Sequence, residues 1–446
     1  MKRSSGVLAA VTAFVTVLSL SMPGSAASLT TQLVSVSSSR GLQGNADSFT
    51  FIKPINPDGR FVAFASTASN LVPGDTNGGA DVFVRDRRSP GRTTRISVSS
   101  TGKQANDESF NPSISKDGNL VAFESLASNL VPGDTNGAAD VFVRNVSLGK
   151  TTRVSVTPSG KQARGDSFGG VISDDGRLVS FMSTSRLVSS DDDNHLDVYV
   201  RDLVAGTLRL VSVSSAGQKG NDDTFATGFS ADDRLMTLES FASNLVPGDT
   251  NSVRDVFTHD LANGRTTRVS VSSSGAQENE ESFAPSISAN GRFVAFTSAA
   301  TNLVPGDKNG FVDLFVRDLR TGITQLASVS STGVQGNGDS SNSKGISADG
   351  RFIAYRSFAS NLVPGDTNGA ADVFLLDRST GKTIRASVSS TGAQATVAPG
   401  AANPLDQGNA ALSADGRWVV FLSTATNLVP GGTNNMGQIF VRGPFG

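Results

Sequence analysis

The chain is a succession of short apolar segments separated by turn-forming residues. In residues 109–156, for example, Leu120–Phe123 is nearly all apolar, which is typical of a strand covered on both faces. Thr151–Val156 instead alternates polar and apolar residues, as a half-exposed strand does. Between the apolar segments, Lys116-Asp117-Gly118 has the composition of a tight hairpin turn. No long stretch has the spacing of an amphipathic helix, so the pattern predicts an all-β protein.

This pattern repeats along the chain. The segment SNLVPGDTNGAADVFVRN at residues 128–145 recurs almost unchanged at residues 360–377. Each copy has four strand-like segments, and seven copies of a four-stranded antiparallel unit predict a seven-bladed β-propeller, a ring of sheets around a central channel. One aromatic position recurs at intervals of 59, 57, 58, 58, 59 and 66 residues, at Phe83, Phe142, Tyr199, Phe257, Phe315, Phe374 and Phe440.

The two ends of the repeat array predict how the ring closes. Residues 30–37 match the fourth strand of a repeat, whereas the last copy stops after its third strand, Gln438–Arg442. We therefore expect the N-terminal strand to complete the last blade, because this arrangement leaves no unpaired sheet edge at the seam.

The repeated motifs resemble those of a known family. Ser288–Ser298 fits the repeat S-x-D-G-R-x-V-A-F-x-S with Asn290 in place of the aspartate, and Asp313–Asp318 fits the repeat D-V-F-V-R-D with Leu314 in place of the first valine. These motifs resemble the WD40-like (PD40) repeats of TolB-type β-propellers over essentially the whole chain after residue 27. The resemblance implies the propeller fold. It also implies that the protein acts as a scaffold, as a periplasmic binding protein or as part of an enzyme.

Composition suggests where the protein acts. Lys2 and Arg3 precede an apolar segment, and Ser25-Ala26-Ala27 offers a cleavage site, so residues 1–27 are predicted to be a signal peptide and residues 28–446 a single propeller. The net charge of −2 argues against nucleic acid as a partner, and the absence of cysteine excludes disulfides. No later segment is long and apolar enough to span a membrane. We expect a secreted or periplasmic monomer.

The loops between the second and third strands carry the main candidate site. In a propeller these loops share one face with the loops that join successive blades. Oxygen ligands at alternate positions are typical of Ca²⁺ loops, so Ca²⁺ is a candidate cofactor. The same side chains could instead form Asx-turns and cap the third strand, and both interpretations stay open. The candidate residues are Asp75, Asn77, Asp81, Asp134, Asn136, Asp140, Asp191, Asp193, Asp197, Asp249, Asn251, Asp255, Asp307, Asn309, Asp313, Asp366, Asn368 and Asp372.

Two copies of this loop differ from the others. Residues 189–197 contain three adjacent aspartates and His195, which makes this copy the strongest single candidate for a divalent cation or a basic partner. The seventh copy has Gly432, Asn434 and Gln438 at the three positions and is not expected to bind a cation. A long insertion at residues 395–407 is expected to form a loop near the same face.

The position after the inner-strand aromatic changes its chemistry from copy to copy. Glu124, Glu239 and Arg356 occupy it in alternate copies and are candidates for a ligand-facing surface. No set of residues specifies a reaction, so we expect a non-catalytic binding or scaffold module for a protein or an envelope polymer. The alternative is a glycan-active hydrolase or lyase that uses carboxylates of the acidic face.

Overall fold

The chain forms a ring of seven β-sheets. The computed structural model describes residues 29–38, 41–50, 53–402 and 406–446, in which there are 28 strands and no helix. The strands form seven four-stranded sheets, which confirms the predicted all-β propeller of seven blades. Across the described ranges no helix is long and apolar enough to cross a membrane. The predicted signal peptide, residues 1–27, lies outside the described residues, as do residues 403–405 of the insertion.

Within each blade the strands are antiparallel neighbours, and the first strand lies next to the central channel. The N-terminal strand is β1 (Thr30–Leu33). The first three blades are β2 (Ser48–Phe49), β3 (Phe61–Ser66), β4 (Asp81–Asp86) and β5 (Arg92–Arg95); β6 (Ser109–Ile114), β7 (Leu120–Ser125), β8 (Asp140–Asn145) and β9 (Lys150–Arg153); and β10 (Ser167–Ile172), β11 (Leu178–Ser183), β12 (Asp197–Asp202) and β13 (Leu208–Leu210). The other four are β14 (Thr224–Phe229), β15 (Leu235–Ser240), β16 (Asp255–Asp260) and β17 (Thr266–Arg268); β18 (Ser282–Ile287), β19 (Phe293–Ser298), β20 (Asp313–Asp318) and β21 (Ile323–Leu326); β22 (Ser340–Ile346), β23 (Phe352–Ser357), β24 (Asp372–Asp377) and β25 (Lys382–Arg385); and β26 (Gln407–Leu412), β27 (Val419–Ser423) and β28 (Gln438–Gly443) with β1.

The ring closes as the sequence predicts. Strand β1 pairs antiparallel with β28 as the outermost strand of the seventh blade, with Leu33 opposite Phe440. The pairing continues beyond β1, because the Val34 N–H donates to the Ile439 carbonyl at 2.7 Å. The first described strand and the last therefore belong to one sheet.

The core consists of hydrophobic clusters between neighbouring blades, and the described residues form seven of them. In the first blade Phe64 and Phe83 pack towards the seventh blade, with ring centroids 5.7 Å apart. Ala63 and Val82 lie on the opposite side of the same sheet and pack towards the second blade. Strand side chains alternate between the two faces of a sheet, so each blade has one face with aromatic residues and one with small residues. The aromatic face of each blade packs against the small-residue face of the blade before it.

The two ends of the ring differ in their connections. The upper face, as we call it, carries the loops between second and third strands and the loops that join successive blades. The lower face carries the turns between first and second strands and between third and fourth strands. One lower-face turn shows why glycine is needed there: Gly118 has φ of 74°, and a Cβ at that position would clash with the ring of Phe61 in the preceding blade.

Candidate functional site

In most blades the predicted aspartate pairs on the upper face are bound to cationic side chains of the protein itself. In the second blade one Arg153 nitrogen, Nη1, lies 3.1 Å from Asp134 and 3.0 Å from Asp140. The Gln162 amide donates to both carboxylates, at 2.7 and 3.2 Å. Burial raises the pKa of Asp134, and the neighbouring Asp140 carboxylate raises it further. An arginine therefore occupies the place between these two carboxylates where a cation would bind.

Three more blades share this arrangement. Their arginines lie at the end of the fourth strand, at the position of Arg153, and burial raises the pKa of one aspartate in each pair, to about 6 for Asp249. The contacts are Arg95 with Asp75 (3.7 Å) and Asp81 (3.6 Å), Arg268 with Asp249 (3.2 Å) and Asp255 (3.9 Å), and Arg385 with Asp366 (3.5 Å) and Asp372 (3.4 Å).

The asparagines of these loops form turns. The Asn136 Oδ1 accepts the Ala138 N–H at 3.2 Å, and its Nδ2 donates to the Ala163 carbonyl at 3.1 Å. This is the geometry of an Asx-turn that also holds the next interblade loop. Equivalent pairs of hydrogen bonds are made by Asn77, Asn251, Asn309 and Asn368.

The third blade replaces the arginine by a lysine from another loop. Leu210 stands at the arginine position, and the Lys219 ammonium lies 2.7 Å from Asp193 and 3.1 Å from Asp197. Burial raises the pKa of Asp197 to about 6. The buried carboxylate of Asp191 accepts a hydrogen bond from the Tyr199 hydroxyl. The oxygens of the three aspartates are close enough to share a metal ion, but Lys219 already provides the positive charge.

The fifth blade has no such cation. Leu326 stands at the arginine position, and among the described residues no Lys or Arg pairs with Asp307 or Asp313. The Gln335 amide donates to both carboxylates, at 2.7 and 2.9 Å, and burial raises the pKa of Asp313. Of the six candidate sets, this one leaves two buried carboxylates without a protein cation, so its charge fits Ca²⁺ best.

His195 brings the unusual loop of the third blade close to the next interblade loop. Its Nδ1 lies 3.7 Å from Asp222 Oδ1 and 3.5 Å from Asp223 Oδ1, which is too long for hydrogen bonds. Backbone N–H groups fix both carboxylates at 2.7 Å. An imidazole and two carboxylates in this arrangement could hold a divalent metal on the exposed surface.

The three candidates for a ligand-facing surface bind neighbouring blades. The Glu124 carboxylate accepts a backbone N–H of β10 at 2.9 Å, and burial raises its pKa. Glu239 accepts a backbone N–H of β18 in the same way. The Arg356 Nε donates to a carbonyl of β26 at 2.6 Å. Each side chain thus joins its blade to the innermost strand of the next blade, and a contact with a ligand stays a prediction.

Around the upper mouth of the channel, every blade contributes one carboxylate. Each of these residues directly precedes the innermost strand of its blade, and its side chain is exposed or half-buried. Its backbone carbonyl accepts a hydrogen bond from the N–H of the residue that follows the second strand. They are Asp47, Glu108, Asp166, Asp223, Glu281, Asp339 and Asp406. Two residues later, at the start of the innermost strands, lie the half-buried side chains of Phe49, Phe110, Phe168, Phe225 and Phe283. We call the two sets together the acidic–aromatic ring.

The lower mouth of the channel has a different group of charges. The Lys53 ammonium reaches from the first blade to Asp174 in the third blade, at 2.6 Å, and both side chains line a cavity of about 110 Å³. Beside them, Asp233 replaces the usual turn glycine and has φ of 56°. Burial and the neighbouring Asp175 raise the pKa of Asp233 to about 7.

Sequence reasoning did not identify the cations that bind the aspartate pairs. Their signal is present: Arg95, Arg153, Arg268 and Arg385 occur in copies that have both aspartates, whereas the seventh copy has Leu33 there and neither aspartate. Recognising the signal requires knowing that the fourth strand ends beside the loop before the third strand.

Comparisons with known proteins support the fold. No family model matches the chain, and no curated protein matches it. An oligogalacturonate lyase in complex with manganese is similar over 94% of this chain and 97% of its own, with 11% identity and a TM-score of 0.53. The β-propeller domain of the Trilobed protease from Pyrococcus furiosus, which has an open velcro topology, is similar over 89% of this chain and 95% of its own, with 9% identity and a TM-score of 0.50.

A TolB protein is also among the similar structures. TolB from Acinetobacter baumannii matches over 69% of this chain and 59% of its own, with 14% identity and a TM-score of 0.41. The chain thus spans less than two thirds of the length of that TolB. The likeness to the oligogalacturonate lyase and to the β-propeller domain of the Trilobed protease supports a β-propeller fold, while membership of the PD40 repeat family stays a prediction.

Proposed function

We propose that the protein is an exported, non-catalytic propeller that binds a protein or a cell-envelope polymer on its upper face. The observation that carries the proposal is the acidic–aromatic ring, to which every blade contributes a carboxylate. A surface that combines half-buried aromatic side chains with charged ones has the composition of a binding interface. The expected partner is therefore cationic with exposed apolar groups. The composition of residues 1–27 supports secretion or a periplasmic location, and we propose that the chain acts as a monomer.

Two exposed aromatic residues extend this surface. Phe241 and Phe358 occupy the same position of the repeat in the fourth and sixth blades, directly after the second strand, and are 39% and 53% exposed. Their backbone N–H groups donate to the carbonyls of Asp223 and Asp339 in the ring, so each lies beside a carboxylate. Large exposed aromatics are common anchors of binding interfaces.

The test compares matched substitutions on the two faces. The variant Phe241→Ser/Phe358→Ser alters the upper face, whereas Leu148→Ser/Val204→Ser alters lower-face turns whose side chains are 75% and 83% exposed. Immobilised chains are incubated with envelope proteins and envelope polysaccharides of the source cells, with and without Ca²⁺. We expect at least tenfold weaker retention by the upper-face variant and unchanged retention by the lower-face variant. Equal retention by both variants would show that the partner does not use the upper face.

The alternative is a glycan-active lyase or hydrolase. A specific observation favours it: at the lower mouth, burial and the neighbouring Asp175 raise the pKa of Asp233 to about 7, which suits proton transfer near neutral pH. The oligogalacturonate lyase among the similar structures suggests a uronate polymer as the substrate to test. Activity on polygalacturonate that is lost in Asp233→Gly, the residue used by the other six turns, would establish the alternative and exclude a purely binding role.

A further inference from the structure

The upper-face loops of most blades are held together by asparagine. In the second blade the Asn106 Nδ2 donates to the Ser128 Oγ at 3.1 Å, and the Asn106 N–H donates to the Asn129 Oδ1 at 3.1 Å. The Asn129 Nδ2 in turn donates to the Gln104 carbonyl at 2.8 Å. The contact joins the loop that enters the blade to the loop after its second strand. The same pairs are Asn45 with Asn70, Asn221 with Asn244, Asn279 with Asn302 and Asn337 with Asn361.

The third blade lacks this contact. Arg164 replaces the first asparagine and Arg186 the second, and the loop after the second strand is shorter. The Ser185 hydroxyl instead accepts the N–H groups of Arg164 and Gly165, at 3.1 and 2.7 Å. Both arginine side chains are exposed rather than tied to the opposite loop. The two arginine substitutions and the shorter loop thus lie at the same place on the upper face.

These changes leave a pocket between the two loops. It has a volume of about 490 Å³, within the range of small-molecule sites, which is roughly 300–1,000 Å³. Lys161, Arg164 and Arg186 line it together with the polar side chains of Thr184 and Asn194. No aspartate or glutamate is among its lining residues, although the surrounding face is acidic.

The three cations are available to a ligand. Among the ion pairs of the described ranges, none involves Lys161, Arg164 or Arg186. The one hydrogen bond from the Arg186 side chain goes to the backbone carbonyl of Asp193, at 2.7 Å, and leaves its two terminal nitrogens free for a ligand. Two guanidinium groups and an ammonium in one polar pocket are suited to the oxygens of a carboxylate or phosphate.

We propose that this pocket of the third blade binds a small anionic sugar, one that carries a carboxylate or a phosphate group. The guanidinium groups of Arg164 and Arg186 hold the anionic group with help from Lys161. The hydroxyl and amide groups of Thr184, Ser185 and Asn194 are placed to bind the neutral hydroxyls of the ring. This site is independent of the partner that we propose for the acidic–aromatic ring.

The experiment uses the chain from residue 28 and three probes of similar size: D-glucuronate, D-glucose 6-phosphate and neutral D-glucose. Calorimetry or ligand-observed NMR gives the affinity of each. We expect both anions to bind and glucose to bind at least tenfold more weakly. The anions should also lose affinity as salt is added, because the contacts are charge-assisted. Preference for one anion over the other identifies carboxylate or phosphate as the natural group.

Matched variants locate the binding. Arg164→Asn/Arg186→Asn restores the asparagines of the other blades, and we expect it to weaken anion binding at least tenfold. Arg88→Asn/Arg265→Asn removes the same charge from exposed lower-face positions and should leave the affinity unchanged. Equal loss in both variants, no loss in either, or equal binding of glucose would overturn the proposal. Phe241→Ser/Phe358→Ser should retain anion binding, so a failure here is distinct from a failure of the proposed function.

Discussion

At the scale of single residues, a buried carboxylate of the upper face can be neutralised by a proton instead of by a cationic side chain. Glu278 in the fourth blade is the clearest case, because Ala105, Ala163 and Ala395 occupy the same position in other blades. Its side chain is only 2% exposed. Burial, and then the neighbouring Asp255, raise the pKa of Glu278 to about 9. Arg268 is already paired with Asp249 and Asp255 of this blade. Because its pKa is raised, the Glu278 carboxyl group is therefore protonated and uncharged at neutral pH.

Glu278→Ala should therefore change how stability depends on pH. The raised pKa means that the folded chain keeps a proton that the unfolded chain releases above its ordinary value of 4.5. The free energy of unfolding of the natural chain should thus fall between pH 5 and 9, by on the order of a few kcal/mol. Denaturant unfolding at pH 5, 7 and 9 measures this fall in the free energy of unfolding.

The alanine variant should lose part of the dependence of the free energy of unfolding on pH, while Glu280→Ala, at an exposed neighbour, should keep it. Equal slopes in all three chains would show that Glu278 is not the group responsible.

At the scale of strands, the fourth strand of four blades supplies the positive charge that compensates the aspartate pair in the loop before the third strand. Strands β5, β9, β17 and β25 end in an arginine beside the aspartate pair, whereas β21 ends in Leu326. The fifth blade is therefore the place where an added cation, either a side chain or Ca²⁺, should stabilise the protein.

Leu326→Arg tests this at one position. We expect the free energy of unfolding to rise by about 1 kcal/mol, because a guanidinium would join two buried carboxylates that lack a cation. Leu210→Arg is the matched control, since Lys219 already compensates the third blade. Millimolar Ca²⁺ should raise the melting temperature of the natural chain and not that of Leu326→Arg. A melting temperature that Ca²⁺ leaves unchanged in the natural chain would show that the loops are turns only.

Strand order and loop positions could be predicted from the sequence because the repeat displays each element seven times. The candidate residues were found for the same reason, but not their partners. Arg153 is 13 residues beyond Asp140, and only the register of β8 and β9 brings their side chains together. The pocket of Arg164 and Arg186 is marked by two departures from asparagine. That these two substitutions leave a pocket follows from the contact between the two loops in the other blades, and the sequence pattern does not show that the two loops touch.

At the scale of the molecule, the ring depends on one short strand. Each blade packs its aromatic face on the blade before it, so the cluster between the seventh and first blades closes the circle. Val34, which follows β1, belongs to that cluster together with Ile439 and Val441 of β28. Strand β1 therefore covers the edge of β28 and also contributes to the interface that joins the two ends of the array.

Removing residues 30–37 should destabilise the whole ring rather than one blade. The deletion exposes the edge of β28 and removes the buried side chain of Val34, so we expect the melting temperature to fall by at least ~5 °C. Calorimetry compares chains that begin at residue 28 and at residue 38. A peptide of residues 28–38 added to the shorter chain should restore most of the loss, because it can pair with β28 in the same register. A peptide with Val34→Pro should restore little, since proline lacks the N–H that bonds Ile439. If the shorter chain melts like the longer one, the other blade contacts hold the ring closed without β1.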